Sequence, residues 1–267
     1  MVLSMKAIIP AAGHGTRMRC ITHSQSKELM KIAGNPLIYY SIKECLRAGI
    51  DEIIIIVNKN KQDITEYINK CKRKNIFDAI DLGTPNISVV IQEQANGSGG
   101  AILAAKDLIG SDNFAVLFPD IYVEEHESNM KEMCDLFESY NIPIILVDNI
   151  KREECNRYGI TIPKCFSQHF YHVEDILEKP SYIERELRFH GIVGRYILNN
   201  SFLKVLESVE EKEAHEKDFT SGLLLFDATI AKVINGHHFE CGTAEFYLKA
   251  KAVLEETILN EEEHNIK

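Results

Sequence analysis

The chain alternates short apolar runs with longer stretches in which apolar residues recur at helical spacing. Lys6 to Pro10 fits a short, fully buried strand, and the loop AAGHGTRM follows at once. From about Pro36 to Ala48 the apolar residues Leu37, Tyr40, Ile42 and Leu46 predict a helix, which Gly49 is placed to end. DEIIIIVN is an almost unbroken β-branched run, the pattern of a strand covered on both faces. The series continues with a helix over Gln62 to Lys74, a strand at ISVVIQE, a helix over Gly99 to Leu108 and a strand at NFAVLFPD. A helix from Met130 to Ser139 and the strand IPIILVD come next. Beyond Gly159 the pattern is less regular, with β-like stretches up to His172 and then the turn-like LEKP. The strand-like HGIVGRYIL, a charged helix over Phe202 to His215 and an acidic helical tail from Phe246 to Lys267 complete it.

This alternation predicts an α/β fold: a doubly wound, mostly parallel mixed sheet with an elaborated C-terminal half. No Pro-, Gly- or Ser-rich linker, internal repeat or low-complexity tract interrupts it, so residues 1–267 read as a single domain. Ligands of such sheets bind beyond the carboxyl ends of the strands. The glycine-rich loop and Asp120 both fall at such ends.

Composition narrows the partners. The chain has 267 residues, 45% of them hydrophobic, enough for a substantial core without staples. A net charge of −10 argues against a nucleic-acid partner but leaves room for a small phosphorylated substrate. The seven cysteines are scattered without a C-x-x-C pair, which favours reduced thiols in a cytoplasmic protein over a disulfide framework or zinc site. The apolar run near the N-terminus is too short for a signal peptide, and Ile53 to Val57 is far below a membrane span. Neither secretion nor a membrane is expected, and the sequons NIS, NGS and NNS are then chance matches.

The loop Ala11-Ala12-Gly13-His14-Gly15-Thr16-Arg17-Met18 carries the first chemistry. Its small residues let main-chain N–H groups approach a phosphate, and Arg17 adds a fixed charge. A dinucleotide fingerprint needs glycine where Met18 stands, and a Walker loop needs G-K-[ST], which is absent. Alone, the loop fits a tight turn as well as a binding site. Lys27 alone would be a surface lysine pairing with Glu28, Gln92 a polar strand end and Asp120 a turn residue. Glu178-Lys179-Pro180 alone would be an exposed charged turn.

Taken in order, however, PAAGHGTRM, SKE, NPLI, LFPD, YGI, LEKP, IVGRY and ECG resemble the sugar-1-phosphate nucleotidyltransferases. Within that family the bacterial UTP–glucose-1-phosphate uridylyltransferases are the nearest subfamily, over Lys6 to about Glu256. The resemblance implies the Rossmann-like fold of nucleotide-diphospho-sugar transferases, a homo-oligomer (dimer or tetramer), and UTP and glucose 1-phosphate as substrates. It also implies the roles. Ala11, Ala12, Gly13 and Gly15 would lie under the nucleotide, with Gln92 reading the pyrimidine edge and Gly97 against the base. Arg17 would neutralise the departing pyrophosphate, Lys27 would bind phosphate at the reacting centre, and Asp120 would hold Mg2+. Glu178 would bond sugar hydroxyls, Lys179 would hold the sugar phosphate, and Gly159 and Gly194 would line the sugar pocket.

Three stretches depart from the family. Glu240, in FECGT, stands where the subfamily has an aspartate as second magnesium ligand; it keeps the carboxylate on a longer stem. DFTSGLLLFDA turns apolar from Leu223 to Phe226, where relatives carry an acidic polar stretch; this bears on sugar choice and subunit contacts. Glu93 to Asn96, in the base loop, also differs. These departures keep open another base (dTTP) or another sugar 1-phosphate, beside a non-catalytic regulatory homologue. Retention of Arg17, Lys27 and Asp120 favours catalysis. Lys70, Lys72, Arg73 and Lys74 read as a solvated helix end. His237 and His238, adjacent on a strand, point to opposite faces and cannot easily share a metal.

Overall fold

The computed structural model of the protein describes residues 5–124, 128–165, 167–182, 189–209, 219–226 and 228–265. The first half comprises β1 (Met5–Pro10), α1 (Arg19–Thr22), the hairpin strands β2 (Lys31–Ile32) and β3 (Asn35–Pro36), α2 (Leu37–Arg47), β4 (Glu52–Val57) and α3 (Gln62–Lys74). Then come β5 (Asn86–Ile91), α4 (Gly97–Ala104), α5 (Lys106–Ile109), β6 (Asn113–Leu117), β7 (Ile121–Glu124), α6 (Asn129–Tyr140) and β8 (Ile144–Ile150). The second half adds β9 (Gly159–Pro163), β10 (Phe170–Glu178), β11 (Phe189–Leu198), α7 (Ser201–Ser208) and α8 (Phe219–Leu223). It ends with β12 (Ile230–Val233), β13 (His237–Glu240) and α9 (Ala244–Asn265).

Nine strands form one sheet in the order β5-β4-β1-β6-β11-β8-β12-β10-β9. β5, β4, β1 and β6 are parallel neighbours. β11 runs antiparallel to β6 and β8, β12 parallel to β8, and β10 antiparallel to β12 and β9. The sheet is mixed, but it is not mostly parallel as the pattern predicts. The second half returns through β11, β10 and β9, whose pairings are all antiparallel, so only β5-β4-β1-β6 and β8-β12 pair parallel.

The isoleucine run of β4 explains the layering. Ile53 and Ile55 face one side with Ile9 and meet Ile38 and Ile42 of α2, Ile64 and Ile68 of α3 and Phe137 of α6. Ile54 and Ile56 face the other with Ile8 and meet Ile102 of α4 and Phe202 and Leu206 of α7. Period-2 alternation with both faces apolar requires helices on both sides. A third cluster joins Met18, Ile32 and Leu37 to Cys241, Tyr247 and Leu254, so α9 packs back onto the N-terminal loop region. Among the described residues no helix is long and apolar enough to cross a membrane.

The element ends follow local chemistry. Gly49 takes φ 79° just past α2, and Asn75 and Asn141 take φ 47° and 54° at the ends of α3 and α6. The helix expected over Gly99 to Leu108 instead begins at Gly97 and breaks at Ala105. There the main chain tightens to i→i+3 bonds, Ala105 N–H to Ile102 and Leu108 N–H to Ala105. α7 ends at Ser208; positions 210–215 of the expected charged helix lie outside the described residues.

Candidate active site

Because β1, β4, β5 and β6 are parallel neighbours, their carboxyl ends open on one edge of the sheet. β1 delivers the glycine-rich loop there, β4 delivers Asn58, β5 delivers Gln92, and β6 delivers Phe118 to Asp120. Gly15 adopts φ 62°, ψ 26°, opening a short 3-10 turn over Thr16–Met18. Met18, fully buried, anchors the far end of the loop in the third apolar cluster. The residue that excludes a dinucleotide fingerprint is thus a core anchor.

Two polar ties hold the near end. Asn58 donates through Nδ2 to the Ala12 carbonyl at 2.6 Å. Lys61 donates through Nζ to the Ala11 carbonyl at 2.7 Å and to both Glu28 oxygens at 2.8 and 2.7 Å. The expected Lys27–Glu28 pairing gives way to this one: Glu28 is 1% exposed and its carboxylate is occupied by Lys61. Burial pushes the Glu28 carboxyl above its ordinary range and the Lys61 ammonium below its own. Ser26 adds a third tie, bonding Asp63 of α3 through both its N–H and its hydroxyl at 2.7 Å.

Lys27 is thereby released from its neighbour and turned toward β6. Its Nζ lies 2.5 Å from Asp120 Oδ2, and its stem runs against Gly15. Burial works against the Lys27 ammonium, but Asp120 and Glu28 outweigh it and raise its pKa. Burial likewise opposes the Asp120 carboxylate, but Lys27, a main-chain bond and Arg17 together hold its pKa below the ordinary carboxylate value. Both groups therefore stay charged at neutral pH.

A cavity of about 580 Å³ sits over this pair, lined by Ala12, Gly13, Gly15, Arg17, Lys27, Gln92, Gly97 and Asp120. Ala11 lies just beneath, 1% exposed. Eight expected residues thus meet in one place. A ninth contributes indirectly. Gly194 takes φ 67° in an irregular part of β11, and a Cβ there would stand 2.8 Å from Ile121 Cδ1 and 3.3 Å from Phe118 Cβ, beside the cavity wall.

The remaining expected residues gather elsewhere. Gly159 opens β9 opposite Glu178 of β10, and a Cβ on it would lie 3.2 Å from Glu178 Oε2. Lys179 follows at φ 44°, bridging to Glu178 at 2.9 Å with its side chain 59% exposed. Glu240 lies at the end of β13, paired with Arg157, in a separate groove that also includes Tyr158 and His238. His238 bonds Asp148 at 2.6 Å and the Tyr158 hydroxyl at 3.1 Å, while His237 is exposed. Among the described residues no cluster of three or more His, Cys, Asp or Glu is arranged to hold a metal.

Residues 6–253 match the family model for nucleotidyl transferases. The chain belongs to the nucleotidyl transferase family. Among its relatives, the UTP–glucose-1-phosphate uridylyltransferase of Bacillus subtilis is 30% identical over 89% of this chain and 84% of the relative. That of Staphylococcus epidermidis is 32% identical over 82% and 80%. A solved UDP-glucose pyrophosphorylase complexed with UDP-glucose superposes with a TM-score of 0.84 at 29% identity, covering 96% of this chain and all of that one. UTP-bound UGPase from Acinetobacter baumannii gives 0.80 at 27%, over 94% and 93%.

Sequence reasoning missed two buried cations that brace the candidate site of this nucleotidyl transferase. Lys61 is one; Arg195, 1% exposed, is the other. Arg195 bonds Glu44 of α2 through Nε at 2.9 Å and donates to the carbonyls of Phe118, Gly194 and Ile121 at 3.0, 3.2 and 2.9 Å. It clamps the chain on both sides of Asp120. Its signal was available: a charge inside the otherwise apolar HGIVGRYIL needs a buried partner.

Proposed function

We propose that the protein is a UTP–glucose-1-phosphate uridylyltransferase, forming UDP-glucose and pyrophosphate. One observation carries the reading: a braced glycine-rich loop, Arg17, Lys27, Gln92 and Asp120 converge on one cavity in a family whose similar members carry that activity by name.

Nucleotidyl transfer asks the protein for position and charge stabilisation, with little covalent work. The glucose 1-phosphate oxygen attacks the α-phosphorus in line, and pyrophosphate leaves. That phosphate is ionised at neutral pH, so no general base is required. Lys27 and Lys179 offset the repulsion between the two anions, and Arg17 stabilises the leaving group. Glu178 orients the sugar through its hydroxyls.

The Asp120 carboxylate suits Mg2+, which binds through one or two carboxylates with phosphate oxygens and water completing its shell. Gly242 lies against it, and a Cβ there would stand 3.2 Å from Oδ2, crowding the oxygen that a cation needs. When bound, magnesium supplies charge neutralisation at the phosphates. Glu240 is the second ligand in this reading, and its service requires the Arg157 pair to open.

All seven cysteines are free thiols, which suits the reducing cytoplasm. Exposed Leu224 and Leu225 offer apolar surface for contact between copies, consistent with a homo-oligomer that sedimentation would reveal.

The deciding assay supplies magnesium, glucose 1-phosphate and each nucleoside triphosphate in turn and measures pyrophosphate release. Release with UTP is expected. Tight nucleotide binding without turnover on any sugar phosphate would overturn the reading in favour of a regulatory homologue.

A further inference from the structure

The amide of Gln92 is not free to present either end to a base. Its Nε2 donates to the main-chain carbonyl of Gly97 at 3.3 Å and to Asn96 Oδ1 at 2.8 Å. A main-chain carbonyl can only accept, so the end of Gln92 near Gly97 is the NH2 group, whichever way the amide is first drawn. Both Nε2 hydrogens are thus engaged. Oε1 takes no bond from the protein among the described residues, while Gln92 is 9% exposed and lines the cavity. What Gln92 offers a ligand is an acceptor.

Asn96 can play this part because of Gly100. A Cβ on Gly100 would stand 1.8 Å from Asn96 Oδ1, 2.2 Å from Cγ and 2.6 Å from Nδ2. The Asn96 amide therefore lies directly on the Gly100 main chain, where only glycine leaves room. It sits at the N-terminus of α4, with its own N–H bonded to the Gln94 carbonyl at 2.9 Å.

We propose that Asn96, seated on Gly100, is a specificity-determining positioning residue. Together with the Gly97 carbonyl, it holds Gln92 with Oε1 toward the base, selecting pyrimidines that carry an N–H at ring position 3, uracil and thymine, over cytosine. Cytosine presents a bare acceptor at that position and would oppose Oε1, lone pair to lone pair. The inference rests on the nucleotide reading of the cavity and assigns the source of its base choice. A site built to bond a particular N–H can reject an analogue lacking it by about 10⁴-fold. Left with only the 3.3 Å bond to the Gly97 carbonyl, the same amide turns more readily to donate Nε2 to cytosine and loses part of that rejection.

The test measures UTP and CTP affinities by calorimetry, in magnesium and without sugar phosphate, for the wild type, Asn96→Ala, Gly100→Ala and Gln92→Ala. Thermal unfolding checks each fold. Gly100→Ala is the cleaner probe, since its position is helical without positive φ and the atoms it displaces belong to the Asn96 side chain. The wild type should prefer UTP by roughly a hundredfold or more. Asn96→Ala and Gly100→Ala should each cut that ratio at least tenfold, mainly by tightening CTP. Either folded variant keeping the wild-type ratio, or weakening both triphosphates equally, overturns the proposal. A wild type indifferent to the base, or a Gln92→Ala variant with the wild-type ratio, would instead overturn the base-site reading beneath it.

Discussion

Lys27 and Lys179 each adjoin a glutamate in sequence, yet the protein treats the two pairs differently. At the proposed triphosphate end Glu28 is drawn away by Lys61, and Lys27 reaches Asp120, just past β6, with its side chain only 14% exposed. At the proposed sugar end Lys179 stays with its neighbour Glu178 and is 59% exposed. An exposed pair of that kind contributes little and imposes little. The first arrangement is fixed before any ligand arrives; the second leaves Lys179, in the proposed function, to be positioned by the sugar phosphate. Preorganised charge is worth most where charge develops in the transition state. Under the proposed function, the rigidity lies at the phosphates under attack.

The largest expected break in this contrast comes from Arg195→Met. The substitution takes the cation from buried Glu44 and the donors from the carbonyls flanking Asp120, at a cost of about 3–5 kcal/mol. Thermal unfolding should fall on the order of 10 °C. Adding Glu44→Leu should restore much of the stability but not the turnover, because the Asp120 turn still lacks its clamp. Recovery of both would reduce Arg195 to a packing role.

Lys27→Ala comes next. Loss of one charge-stabilising donor in a preorganised site lowers kcat by roughly 10²- to 10³-fold. Because Lys27 also neutralises Asp120, unfolding temperature should change too, which calorimetry would register. Lys179→Ala sharpens the comparison: about a hundredfold loss in turnover, a raised KM for glucose 1-phosphate, and an unchanged unfolding temperature. Near-normal turnover in the purified Lys179 variant would remove its assigned role, whereas a stability loss would place the sugar end under the same bracing as the triphosphate end.

The same contrast explains how much was legible in the sequence. β4 could be read from Ile53 to Ile56 alone because both faces of a central strand must be apolar. The glycine-rich loop and Asp120 could be placed together because strand order puts carboxyl ends on one edge. The braces could not be read this way. Lys61 finds Glu28 across 33 positions, and Arg195 finds Glu44 across 151. No periodicity encodes such pairs, since a buried charge chooses its partner through the tertiary fold. Glu28 shows the cost of reading locally: its nearest cation in sequence is Lys27, but its nearest in the buried site is Lys61. The apolar Leu223-to-Phe226 stretch is similar. Phe219 and Leu223 fill core beside Phe202, while Leu224 and Leu225 stay exposed, a division that composition alone does not supply.

The smallest expected effect tests where the two ends meet. Arg157 holds the Glu240 carboxylate, both side chains about one-quarter exposed, so a cation that recruits Glu240 must first compete with the guanidinium. A partly exposed ion pair is worth about 1 kcal/mol or less. Releasing it by Arg157→Gln should therefore tighten magnesium binding by no more than about fivefold. Glu240→Ala should weaken magnesium binding, and the double variant should match Glu240→Ala, because Arg157 acts only through that carboxylate. Manganese titration followed by electron paramagnetic resonance reads these affinities without turnover. If neither single variant moves the affinity, Glu240 leaves the metal site and Asp120 carries the cation with the phosphates alone. The longer glutamate stem would then serve the Arg157 pair, and the metal would belong wholly to the triphosphate end.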